Sequence, residues 1–300
     1  MDIPRRCAGA MLGLALGDAL GAPYEGSLME RAAWKAIVAV SGEDLRWTDD
    51  TQMAMVLAES LLENAGLDAD RLAASWAAAM EWSRGYGPGA AKMLKLIRGG
   101  ADWRNANKNV FPDGSFGNGA AMRAAPLGLF YRRDAAALER AAAEAAAITH
   151  THPLGVEGGV LIARATALAL CEPFSARNFI AELLTRAGHE EYRRRLARAG
   201  ELLDGAPEPA AVRGELGSSV RAHESAVTAV YAFCRHHDDF AAMMEFVISL
   251  GGDTDTIGAM AGGLWGARNG AGALPPRQLA RLEAKDRLEQ LGIRLGTMKK

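Results

Sequence analysis

Apolar residues recur at intervals of three and four along most of the 300-residue chain, the spacing that turns one face of a helix toward a core. Leu57, Leu61 and Leu62 form one such stripe, and Val227, Val230, Tyr231 and Cys234 form another. The pattern predicts helices over 54–64, 71–82, 135–148, 158–170, 176–187, 220–236, 240–250, 257–267 and 276–291. No period-two alternation competes with it, so the expected class is all-α. The stretches 158–170 and 257–267 carry little charge and many small residues, which predicts central helices with close backbone approach. Linkers are short, and 205–209 reads as one surface loop within a charged stretch. One compact multi-helix domain over 1–300 is therefore expected.

Composition agrees with this picture and removes several classes of function. Alanine is abundant while Val, Ile, Tyr and Phe are sparse, which favours helix over strand. A 49% hydrophobic, 23% charged chain can bury a sizeable core and is not disordered. The net charge is −2, with no basic stripe to neutralise phosphates, so nucleic acid is not the expected main partner. The apolar stretch 8–16 is followed by Asp18 and falls short of the roughly 20 residues that span a bilayer. A signal peptide is not expected there either, because 11–20 carries glycines at helical spacing and runs into what reads as a site. Cys7, Cys171 and Cys234 are odd in number and far apart, which argues against a disulfide framework or a cysteine zinc site. A cytoplasmic protein is expected, each thiol serving as a small buried hydrophobe.

Two acidic turns, about two hundred positions apart, carry the candidate chemistry. Trp47-Thr48-Asp49-Asp50-Thr51 and Gly251-Gly252-Asp253-Thr254-Asp255-Thr256 each lie before a predicted helix. One reading is N-capping, in which Asp and Thr oxygens accept the free N–H groups of the first turn. A single such residue suffices for a cap, and here each turn has two carboxylates, which are costly to crowd without a cation. Oxygen donors with no His or Cys among them suit Mg²⁺, Mn²⁺ or Ca²⁺ rather than zinc. If the turns converge, they have the donors for a two-metal site.

Three further segments hold more glycine and polar residues than packing needs: 17–26, 114–123 and 149–153. In the second, Gly114, Gly117 and Gly119 free successive N–H groups that can wrap a phosphate, and Ser115 and Asn118 add donors. It lacks the Lys-Ser/Thr ending of a P-loop, and a plain turn is the alternative. His150 and His152 each read as structural or catalytic.

Taken together and in this order, these segments resemble the ADP-ribosylglycohydrolase family. The similarity starts at Gly9-Ala10-Met11-Leu12-Gly13-Leu14-Ala15-Leu16-Gly17-Asp18-Ala19-Leu20-Gly21 and passes through Thr48-Asp49-Asp50-Thr51 and Gly117-Asn118-Gly119-Ala120-Ala121-Met122-Arg123. It ends at Ser249-Leu250-Gly251-Gly252-Asp253-Thr254-Asp255-Thr256-Ile257. The resemblance implies an all-α fold around two Mg²⁺ or Mn²⁺ ions, with Thr48, Asp49, Asp50, Asp253, Asp255 and Thr256 as ligands. It also implies that Gly114, Ser115, Phe116, Gly117, Asn118, Gly119 and His150 bind ADP-ribose, with Phe116 against the nucleoside. The segment Ala222–Phe233 and the pair Tyr24-Glu25 are most similar to the branch acting on serine-linked ADP-ribose, poly(ADP-ribose) and O-acetyl-ADP-ribose, although Gly21-Ala22-Pro23 departs from its loop. A glutamate at this position is shared with the arginine-directed branch.

The chemistry implied by the resemblance is hydrolysis at the anomeric carbon of the distal ribose, the cation pair orienting the sugar and acidifying water. Glu25, flanked by Gly21 and Gly26, is the first candidate general acid/base, with Asp49 or Asp50 next. The expected partners are ADP-ribose and ADP-ribosylated proteins or small molecules. Two alternatives differ in class: a non-catalytic ADP-ribose-binding protein, and a two-metal phosphohydrolase acting on the diphosphate.

Overall fold

Residues 2–41 and 45–298 are described in the computed structural model of the chain. In order, the α-helices are α1 (Ile3–Gly21), α2 (Leu28–Ser41), α3 (Asp49–Glu63), α4 (Ala69–Ala79), α5 (Pro88–Arg98) and α6 (Trp103–Val110). Then come α7 (Gly119–Met122), α8 (Ala125–Phe130), α9 (Ala135–Ala147), α10 (Pro153–Ala169), α11 (Ala176–Arg186) and α12 (Glu190–Leu202). The last six are α13 (Pro209–Leu216), α14 (Ala222–Arg235), α15 (Phe240–Leu250), α16 (Thr254–Asn269), α17 (Pro276–Leu279) and α18 (Lys285–Thr297). Among the described residues the only β pairing is two isolated bridges, Leu45 with Leu282 and Gly117 with Arg221. The fold is all-α, as the apolar pattern predicts.

Backbone contact between α1 and α16 organises the centre. The two run antiparallel, and Gly9, Gly13 and Gly17 face Gly266, Gly262 and Gly258. A Cβ at Gly13 would lie 2.2 Å from the Gly262 carbonyl oxygen, and one at Gly17 would lie 2.0 Å from that of Gly258. No side chain fits there, so glycine at every fourth position is a packing requirement. Helix α18 closes on the other side of α1 in the same way, with Gly292 against Ala8 and Gly296 against Pro4. Both central helices are apolar nearly all round and buried along their length, as core helices are. The glycine ladder also sets the C-terminal end of α1 beside the N-terminal end of α16, where the Thr254 hydroxyl donates to the Gly21 carbonyl at 3.0 Å.

Most predicted helices are present, with shifted ends. The span 240–250 coincides with α15, and 158–170 and 257–267 are the later parts of α10 and α16. The span 71–82 moves two residues N-terminal, because the Asp68 carboxylate caps α4 by accepting from the Arg71 N–H at 3.0 Å. The predicted helix 276–291 is two helices. Between them the Glu283 N–H donates to the Leu45 carbonyl at 3.1 Å, and Arg84 grips the Glu283 carboxylate with both terminal nitrogens. These long-range bonds outweigh local propensity. Cys7 and Cys234 are buried as expected, whereas Cys171 is exposed.

Candidate functional site

The first acidic turn is held from below by a residue on α1. Asp18, fully buried, accepts the Thr48 N–H at 3.0 Å with each carboxylate oxygen. Its Oδ2 also accepts the Thr51 N–H at 3.1 Å and the Thr51 hydroxyl at 2.6 Å. The Thr48 hydroxyl, which caps α3 by accepting from the Asp50 N–H, donates to Asp50 Oδ2 at 3.1 Å. Sequence reasoning gives Asp18 no role in the site. Its signal is a lone carboxylate at the end of the apolar run 7–17 of α1, where burial requires several donors.

The second turn is shaped by two glycines. Gly251 and Gly252 have φ of 66° and 84°, and a Cβ at Gly252 would meet the Ser218 carbonyl at 2.1 Å. Their close approach is to protein backbone. It lets the Asp253 N–H donate to that carbonyl at 2.9 Å and points Asp253 and Asp255 toward the first turn. Asn118, expected to face substrate, donates through its side chain to Asp253 and to the Ser225 hydroxyl. It therefore ties the glycine loop to the acidic turn.

Asp49 and Asp50 of the first turn and Asp253, Asp255 and Thr256 of the second line the same cavity. Glu25, Asp253 and Asp255 each place a carboxylate oxygen within 4.8 Å of the other two. Burial first, then neighbouring negative charge, pushes the carboxyls up: Asp49 to about 8, and Asp50 and Asp255 well above the usual range. Asp253 is raised by burial. Asp50 Oδ1 is buried with no hydrogen-bond partner. Crowded carboxylates and an orphaned oxygen are the surroundings that a hard divalent cation satisfies, so this donor set fits such an ion. Glu25, read from the sequence as a proton carrier, is also close enough to share one.

Beside the carboxylates lies a cavity of about 340 Å³. Its wall includes Glu25, Asp49, Asp50, Asp253, Asp255 and Thr256 together with Ser115, Gly117, Asn118, Gly119 and His150. Thr48 lines a neighbouring cavity of about 320 Å³ that meets the first at Glu25. The glycine loop is fixed by the Asn118 N–H to the Val220 carbonyl at 2.9 Å and the Ala222 N–H to the Phe116 carbonyl at 3.0 Å. Gly114 and Phe116 are not in the cavity wall. Gly114, at φ 79°, packs on the backbone of His152, and the Phe116 ring, 44% exposed, stands edge-on to His152 at 5.4 Å. His152 is structural, accepting the Leu154 N–H as the cap of α10.

The site is a carboxylate-lined cavity at the junction of two helix N-termini in an all-helical fold. Residues 1–299 match the family described as ADP-ribosylglycohydrolase, and the chain belongs to that family. It is 32% identical to human ADP-ribosylhydrolase ARH3 over 90% of this chain and 87% of that protein. It is 30% identical to the Gallus gallus protein of the same name, over 91% and 88%. A solved structure titled ADP-ribosylglycohydrolase-related protein complex superposes with a TM-score of 0.76 and 29% identity, covering 100% of this chain and 99% of that one. Among the described residues no helix is long and apolar enough to cross a membrane.

Proposed function

We propose that this chain is a divalent-cation-dependent ADP-ribosylhydrolase that cleaves the bond at the anomeric carbon of the distal ribose and releases free ADP-ribose. The observation that carries this reading is the meeting of Glu25, Asp253 and Asp255 at the edge of the cavity. Similarity to ADP-ribosylhydrolase ARH3 supports it. The substrates are O-linked: serine-ADP-ribose, O-acetyl-ADP-ribose and poly(ADP-ribose). A cytoplasmic setting fits three free thiols.

Thr48, Asp49, Asp50, Asp253, Asp255 and Thr256 would hold two Mg²⁺ or Mn²⁺ ions, which would supply electrostatic stabilisation and sugar orientation. The remaining work falls to the chain. Glu25 lies just after the 3-10 turn Ala22–Tyr24 and before Gly26, whose φ is 68°. Its carboxylate takes a proton from the attacking water and returns one to the leaving oxygen. Gly117 and Gly119 leave room for the ligand against His150, and backbone N–H groups of this loop are suited to the diphosphate.

The reading is tested by offering serine-linked, arginine-linked and O-acetyl substrates in parallel and identifying the product. Free ADP-ribose from the serine and acetyl substrates is expected. Release from the arginine substrate alone would transfer the protein to the arginine-directed class, and AMP would mean phosphoester chemistry. Binding of ADP-ribose without release from any substrate would make it a binding protein.

A further inference from the structure

One wall of the cavity holds a cation that, among the described residues, is paired with no carboxylate. The Arg123 guanidinium, 3% exposed, lies over the Trp76 ring at 4.0 Å and touches Met53 Sδ at 3.6 Å. Its closest polar contact is donation from Nη2 to Thr149 Oγ1 at 2.6 Å. Thr149 Oγ1 lies 2.6 Å from His150 Nδ1. Thr149 is 2% exposed, so its hydroxyl proton does not go to water. A guanidinium cannot accept it. Among the described residues His150 Nδ1 is the acceptor at hydrogen-bond distance from this hydroxyl, which leaves the imidazole proton on Nε2.

That nitrogen faces the glycine loop. A Cβ at Gly119 would lie 3.3 Å from Nε2, and one at Gly117 would lie 3.5 Å from it, so the two glycines hold space in front of the ring edge. Burial and then the charge of Arg123 push His150 down to about 3, which keeps the ring neutral at ordinary pH.

We propose that Arg123 and Thr149 are positioning residues that hold His150 as a neutral Nε2–H donor toward the cavity, aimed at an acceptor oxygen of the ligand. His150 is then a binding group and not a proton carrier. The identity of the ligand rests on the hydrolase reading above, whereas the donor arrangement does not.

The test uses the whole protein with ¹⁵N-labelled histidine, the His150 signals being assigned by their loss in His150→Gln. Wild type is expected to show protonated Nε2, a hydrogen-bonded acceptor Nδ1, and no titration between about pH 5 and 8. A proton on Nδ1, or titration in that range, overturns the proposal. Thr149→Val should move Nδ1 to the position of an unbonded nitrogen and weaken ADP-ribose binding about tenfold, raising KM with little change in kcat. Thr149→Ser, which keeps the hydroxyl, should stay within about twofold of wild type. Equal affinity for Thr149→Val and wild type, or loss in Thr149→Ser as well, contradicts the positioning role. If wild type fails to bind ADP-ribose, the hydrolase reading falls, and the nitrogen signals still decide the donor arrangement.

Discussion

Asp18 Oδ2 accepts both the backbone N–H and the hydroxyl of Thr51, at 3.1 and 2.6 Å, so a carboxylate in the middle of the core holds the turn that presents Asp49 and Asp50. Removing it strands three buried donors: the Thr48 N–H, the Thr51 N–H and the Thr51 hydroxyl. Asp18→Ala should cost about 2–4 kcal/mol in denaturant unfolding and abolish turnover. Asp18→Asn keeps one acceptor oxygen and should fall between that variant and wild type.

In the proposed function a divalent cation and protons compete for the same carboxylates. Burial raises Asp18 to about 6 and Asp49 to about 8 from an ordinary 3.8, so between these values the cation-free folded chain binds more protons than the unfolded one. Stability of the folded chain then falls as pH rises from about 4 to 8. In chelator the melting temperature should drop across that range. With excess Mg²⁺ or Mn²⁺ the drop should shrink or reverse, because cation binding displaces those protons and stabilises the folded form. A melting temperature indifferent to chelator at pH 8 would contradict the site.

The glycine ladder gives a sharper structural prediction. Gly17→Ala drives a Cβ to 2.0 Å from the Gly258 carbonyl, and backbone on both sides must part to admit it. A loss of about 3 kcal/mol or more is expected, read as a fall in denaturation midpoint or as insoluble protein. Because the ladder sets the end of α1 beside the start of α16, any folded fraction should also show weakened cation binding. Gly272, which has no atom within 4 Å of its Cβ position, is the control and should tolerate alanine.

Glu25 separates binding from chemistry. Glu25→Gln keeps size and hydrogen bonding but cannot carry a proton. It should lower kcat by about 10²–10⁴-fold and leave ADP-ribose affinity within a few fold. Unchanged turnover would remove Glu25 from the proton-transfer role.

The two acidic turns and the apolar periodicity of α9, α11, α14 and α15 are legible in the sequence because each expresses a local rule: excess charge at a helix start, or a stripe at three and four spacing. In α12 the density of charge masks the periodicity, although Tyr192, Leu196, Ala199 and Leu202 face the core at helical intervals. Helix α1 carries its glycines in plain view, yet their partners lie some 250 positions away and no local pattern pairs them. Sequence distance likewise hides Asp18 from Thr51, and Arg84 from Glu283. Phe116 and Gly114 stand in the right loop by sequence, and only the packing of that loop on His152 decides which residues reach the cavity wall.

The most direct test is to follow free ADP-ribose released from a serine-ADP-ribosylated peptide by wild type with Mg²⁺, after chelation, and after Mg²⁺ is restored, with Asp255→Asn alongside. The account predicts release with Mg²⁺, at least about a hundredfold loss on chelation, full recovery on restoration, and no release by Asp255→Asn. Undiminished release in chelator, or wild-type release by Asp255→Asn, would show that the converging carboxylates are not the seat of the reaction.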